Sequence, residues 1–136
     1  MGLPATMPRS VLRWGGAIVL LAALAGCGGG VYVEIPPDDQ PPTVGLVGAP
    51  TTAQINEIVQ FSAIADDDYF VRRVMLYQVI PGGRDALLDT DSTRPYTFNV
   101  AIPANTPVAS VLEFYAVAED DVGQTSSSNL VRISVP

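Results

Sequence analysis

From Thr43 onward, apolar residues recur at every second position in short runs, separated by clusters of Gly, Pro, Asn and Asp. A period of two marks a strand with one buried face, and no segment in this stretch carries the 3.6 period of a helix. Val44 and Leu46 mark a first strand, and Val59, Phe61, Ala63 and Ala65 alternate with Gln60 and Ser62 in a second. Val74 and Leu76 alternate with Arg73, Met75 and Tyr77 in a third, Gly82-Gly83 makes a turn, and Ala86 to Asp89 form a short fourth. Tyr96, Phe98, Val100 and Ile102 face one way in a fifth, opposite Thr97 and Asn99. Leu112, Phe114, Ala116 and Ala118 form a sixth opposite Glu113 and Tyr115, and Val131, Ile133 and Val135 close the set. About seven short strands, each with one apolar face, predict an all-β sandwich. Phe61, Leu76, Phe98 and Phe114 sit mid-strand on those faces and are expected to share one core.

The chain before Thr43 follows a different pattern. Arg9 and Arg13 precede Trp14 and the apolar run Ile18 to Leu24, and Leu24-Ala25-Gly26-Cys27 follows. This order resembles a bacterial lipoprotein signal peptide ending in a lipobox. The resemblance implies that residues 1–26 are removed and that Cys27 carries the lipid. The apolar run is about a dozen residues, short of the ~20 that a spanning helix needs. Met1 to Thr6 also fits the loose myristoylation pattern, a short motif that is frequent by chance. Gly28 after the cysteine, by resemblance to Gram-negative sorting rules, implies the outer membrane. Residues 27–42 have a tether's composition, with glycines near the lipid and Pro36, Pro37, Pro41 and Pro42 stiffening the later part. At ~3.1 Å per residue, the tether reaches roughly 40 Å from the membrane. The alternation from Val31 to Ile35 also permits an extra edge strand.

Loss of residues 1–26 leaves five arginines, no lysine and all 14 acids, a side-chain charge of −9. A surface this acidic repels nucleic acid and anionic lipid head groups, so no nucleic-acid partner is expected. Cys27 is the only cysteine, so the domain has no disulfide and depends on its apolar core. The chain has no histidine, which excludes Ser-His-Asp and Cys-His triads and histidine zinc sites. Carboxylates alone can catalyse, but no paired-carboxylate pocket is legible here. A small hydrolase is therefore the weakest reading, and a non-enzymatic role is expected.

An ordered set of motifs runs through the domain. It comprises Pro41-Pro42-Thr43-Val44, Val59-x-Phe61-x-Ala63-x-Ala65-Asp66-Asp67, Val71-x-x-Val74-x-Leu76-Tyr77, Arg94-Pro95-Tyr96-x-Phe98 and Ala116-x-Ala118-x-Asp120-x-x-Gly123-x-Thr125. Over residues 41–136 the set resembles the bacterial immunoglobulin-like domains of envelope and extracellular proteins. The resemblance implies an immunoglobulin-like sandwich over residues 43–136 and roles in binding, adhesion or spacing, with no catalytic residues. Phe70 stands where that family usually has glycine.

The remaining candidate chemistry is acidic. Asp66-Asp67-Asp68 suits either calcium, which takes many oxygen ligands, or a turn whose aspartates cap backbone amides. Asp89-Thr90-Asp91 begins like a calcium loop. However, Arg94 replaces the glycine and Val100 the bidentate Glu of an EF-hand, so that motif is rejected. An aspartic-protease loop is rejected for want of its glycine. In a sandwich of this order, the loops after the second, fourth and sixth strands gather at one end. Asp66, Asp67, Asp68, Asp89, Asp91, Glu119, Asp120 and Asp121 would then crowd one tip, with Arg94 the only basic residue inside those loops. The tether bearing Glu34, Asp38 and Asp39 would enter there too. Two expectations follow: a weak calcium site in the ~10⁻⁴–10⁻³ M range of extracellular modules, or a solvated acidic end that keeps the domain off anionic lipid. Tyr69-Phe70 is either an exposed contact patch or a cover for the end of the core. The partners expected are the membrane through Cys27 and an envelope or extracellular protein or glycan. The alternative role is a spacer or assembly subunit docking to a larger envelope complex.

Overall fold

The computed structural model of the chain describes residues 40–136, all within the compact unit Pro37–Pro136. The signal peptide, Cys27 and the tether as far as Asp39 lie outside the described residues. So does the Val31 to Ile35 alternation. The strands are β1 (Thr43–Ala49), β2 (Ile58–Asp66), β3 (Val71–Gln78), β4 (Ala86–Asp91), β5 (Tyr96–Ala101), β6 (Ser110–Asp120), β7 (Thr125–Ser127) and β8 (Val131–Val135). They form a three-stranded sheet, β1-β2-β5, and a five-stranded sheet built on β4-β3-β6. All pairings between strands are antiparallel. This is an immunoglobulin-like β-sandwich.

The eighth strand has a physical origin. β7 pairs with the upper part of β6, at Val117 to Glu119, and β8 with its lower part, at Ser110 to Phe114. Together they fill one lateral position, broken at residues 128–130. Within the break, Asn129 turns to the free edge of β1, where its Oδ1 accepts from Leu46 N (3.1 Å) and its Nδ2 donates to Leu46 O (2.9 Å). The chain after β1 then crosses to the other sheet. Ala53 N donates to Ser134 O and Ser134 N to Thr51 O, so residues 51–53 cover the edge of β8. On the opposite flank, Asp91 of β4 accepts from Thr97 N on the free edge of β5 (3.2 Å). Edges left open invite other strands, and an inward-turned polar side chain is one protection against that.

The apolar faces meet as the period of two predicts. Phe61, Leu76, Phe98 and Phe114 are all at or below 1 % exposure in one core cluster. The rings of Phe61 (β2) and Phe114 (β6) lie 4.7 Å apart across the two sheets, tilted by 48°. Gly48 makes that approach possible. A Cβ there would sit 2.8–2.9 Å from the Phe61 ring and 3.0 Å from Val131 Cγ1.

Candidate functional site

The register puts the chain's entrance and three loops at one end. Thr43 opposes Asp66, and Val71 opposes Asp120. The β2–β3, β4–β5 and β6–β7 connections therefore share that end, as expected. The eight acids do not converge there on one point. Asp89 and Asp91 lie within β4, opposite Leu76 and Val74, because the strand runs two residues beyond the predicted Asp89. Asp91 spends its oxygens on Thr93 N (2.9 Å) and Thr97 N. Asp89 Oδ1 accepts from Thr90 N (2.8 Å).

The β6 acids are committed to the fold. Glu119 accepts from Arg73 Nε (3.0 Å) and Nη2 (2.7 Å), and Arg72 Nη1 lies 3.5 Å away. Successive strand residues normally point to opposite faces. Two neighbouring arginines reach one glutamate here because the β3–β6 register shifts between Val71 and Arg73. Asp120 is fully buried. Its Oδ1 accepts from Val122 N (3.0 Å) and Gln124 N (2.7 Å) around Gly123, whose φ of +91° suits glycine, while Oδ2 has no partner. Asp121 is exposed. Among the described residues, no group of three or more carboxylates is placed to hold a metal ion. The arginine pair at Glu119 is invisible in the sequence because a bulge is a backbone event. The fate of Asp120 was signalled: Leu112, Phe114, Ala116 and Ala118 share an inward parity, and Asp120 continues it.

The β2–β3 and β4–β5 loops enclose a cleft of about 450 Å³. Buried Val71 and Tyr96 line it together with exposed Tyr69 and Phe70, Ser92 and Thr93, and the pair Arg94–Asp66. Each loop is fixed by an aspartate at its start. Asp67 Oδ2 accepts from Tyr69 N (3.1 Å) and Phe70 N (2.9 Å), which fixes the turn carrying both rings. Asp67 Oδ1 is buried without a partner. Asp91 does the same for Thr93 across the cleft. Asp68 stays exposed in the first turn. The Arg94 guanidinium ties the β4–β5 loop to the end of β2, donating to Ala65 O (2.7 Å) and Asp66 Oδ1 (3.2 Å). First the Tyr96 hydroxyl beside it and then Asp66 hold Arg94 above its ordinary pKa.

Tyr69 and Phe70 are 64 % and 56 % exposed, so they do not serve as a cover over the core. Phe70 does not need the glycine usual in the resembled family, since Asn56 and Ala109 are the positive-φ non-glycine residues among those described. A second groove of about 330 Å³, lined by Ala63, Ile64, Ala65, Arg94, Pro95 and Tyr96, lies against the same arginine.

The two outer faces of the sandwich differ in charge. β1, β2 and β5 contain one charged residue, Asp66 at the cleft. The five-stranded sheet carries the Arg73–Glu119 and Arg132–Glu113 pairs and the stacked Tyr77–Tyr115 rings, 5.3 Å apart. Burial, and then the hydrogen bond to Asp85, raise the Tyr115 pKa.

Solved structures share this fold. The fibronectin(III)-like modules of Clostridium thermocellum CbhA superpose with a TM-score of 0.55 at 21 % identity, covering 68 % of this chain and 94 % of theirs. The PKD domain of a peptidase from a Thermoplasmatales archaeon gives 0.50 at 16 % identity, covering 72 % and 98 %. A superoxide reductase (neelaredoxin) from Ignicoccus hospitalis gives 0.51 at 14 % identity, covering 71 % and 81 %. At these identities the likeness is one of fold. No protein-family profile matches the chain, and no curated protein matches it in sequence.

Proposed function

We propose that this chain is an exported lipoprotein, anchored through Cys27, that presents one immunoglobulin-like module as a non-enzymatic binding or accessory domain. The observation that carries the binding role is the cleft. Two exposed aromatic rings stand on a turn fixed by Asp67, opposite a loop fixed by Asp91, and such preorganisation lowers the cost of ordering a site on binding. The motif order ending in Cys27 supports the anchor, and Gly28 favours the outer membrane of a Gram-negative host. A second reading, an assembly subunit docking to a larger envelope complex, draws on the three-stranded sheet, whose strands carry one charge, Asp66 at the cleft end, and whose outer face exposes Val47 at 62 % and Ile64 at 79 %.

Two measurements test this. Cys27→Ser should leave an unlipidated form that no longer fractionates with membranes. Retention with the wild-type mass shift would overturn the anchor. A photo-crosslinking residue placed in living cells at Phe70, Val47 or Leu87 reports which surface is engaged. Crosslinks confined to Phe70 support the cleft, crosslinks confined to Val47 support the subunit, and none above the Leu87 control overturns both.

A further inference from the structure

We infer that the cleft and the adjoining groove together take an extended polypeptide segment, with a lysine or arginine side chain in the cleft and an apolar side chain in the groove. This rests on the cleft being a binding site, and it names the chemistry of the partner. Charge is the first argument. The lining holds two carboxylates, Asp66 and Asp67, against one cation, and Asp68 is exposed beside them. That cation, Arg94, pairs with Asp66, which leaves Asp67 and the neighbouring Asp68 as the net charge at the cleft. The domain as a whole has eleven carboxylates against five arginines, so an anionic ligand is repelled and a cation drawn in.

The rings are the second argument. Tyr69 and Phe70 are exposed next to the carboxylates, and an aromatic face attracts an ammonium or guanidinium through its quadrupole. The groove supplies the third. Beyond Arg94 the lining turns to Ala63, Ile64 and Pro95, with no carboxylate. The two spaces adjoin, sharing Arg94 and Tyr96 in their linings. Alternate residues of an extended chain project to the same side about 7 Å apart, so a basic-x-apolar sequence can offer one group to each of two adjoining spaces.

Fluorescence anisotropy of labelled pentapeptides tests this on the full-length chain in zwitterionic detergent. The probes are Gly-Arg-Ser-Leu-Gly, the same peptide with Gln or Glu for Arg, and labelled cellohexaose as a neutral saccharide. The Arg peptide should bind about tenfold more tightly than the Gln peptide, and the Glu peptide should not bind. Binding should weaken as salt rises. Tyr69→Ala with Phe70→Ala should abolish the preference for Arg, and Ile64→Ala should cost about threefold, one methyl-rich contact. Leu87→Ala, at an exposed site on β4, should change nothing. Equal binding of the Arg and Gln peptides overturns the cation assignment. Binding of cellohexaose that depends on Tyr69 and Phe70, without peptide binding, overturns the ligand class and keeps the cleft as a site. No binding by any probe overturns the inference, and the crosslink at Phe70 then decides separately whether the cleft is a site at all.

Discussion

Two acidic triplets, Asp66-Asp67-Asp68 and Glu119-Asp120-Asp121, reach the same end of the sandwich and look alike in sequence. Their roles in the fold differ. In the second triplet, two of the three are buried: Glu119 is clasped by Arg72 and Arg73, and Asp120 staples the β6–β7 turn. In the first, Asp66 and Asp68 stay in solvent, and Asp67 fixes a turn whose payload is two exposed rings. The difference comes from where each strand stops. β2 ends at Asp66, so the next acids fall in a loop. β6 runs on to Asp120, and the period of two that buries Phe114, Ala116 and Ala118 carries that aspartate inward with them. The acids of one triplet thus hold the fold together, while those of the other shape a surface.

Mutation can break or sharpen this contrast. The largest effect belongs to the core that both triplets overlie. Phe114→Ala should cost roughly 3–5 kcal/mol, because no disulfide supports the Phe61–Phe114 contact, and a denaturant midpoint shows it directly. Next comes Asp120→Ala, about 2–3 kcal/mol, since two amides of the β6–β7 turn lose their acceptor and the fully buried carboxylate leaves a gap. Asp120→Asn retains an oxygen for both amides and should preserve most of that stability. If Ala and Asn prove equally harmful, the hydrogen-bond account of the turn is wrong. Asp67→Ala should cost about 1 kcal/mol, as the loss of a capping side chain does, while loosening the turn under Tyr69 and Phe70. Asp68→Ala should stay within ~0.5 kcal/mol, the range of an exposed position with no special role. A ranking that put Asp68 above Asp120 would erase the contrast between the triplets.

Periodicity made the sandwich legible. Seven alternating runs gave the strands and the four core residues Phe61, Leu76, Phe98 and Phe114. Thr125–Ser127 escaped because three small polar residues carry no alternation, although they pair with β6. The last two residues of β4, Thr90 and Asp91, escaped because Asp91 looks like a loop residue, while the pairing of the two opposite Met75 and Val74 makes them strand. The cleft was half legible. Asp66, Asp67, Tyr69 and Phe70 stood out by type, but the facing wall of Ser92 and Thr93 depends on how two loops fold back, which no local pattern encodes. The bulge that brings Arg72 and Arg73 to one glutamate likewise left no mark on the hydrophobic pattern.

The central claim is that the exposed triplet's loop exists for recognition rather than for stability. Tyr69→Ala combined with Phe70→Ala tests it most directly when denaturant midpoint and peptide anisotropy are measured on the same preparation. The account predicts an unfolding free energy within ~0.5 kcal/mol of the parent, as for exposed side chains, together with loss of the preference for the arginine peptide. A double variant that unfolds early, or one that still prefers the arginine peptide, would contradict it.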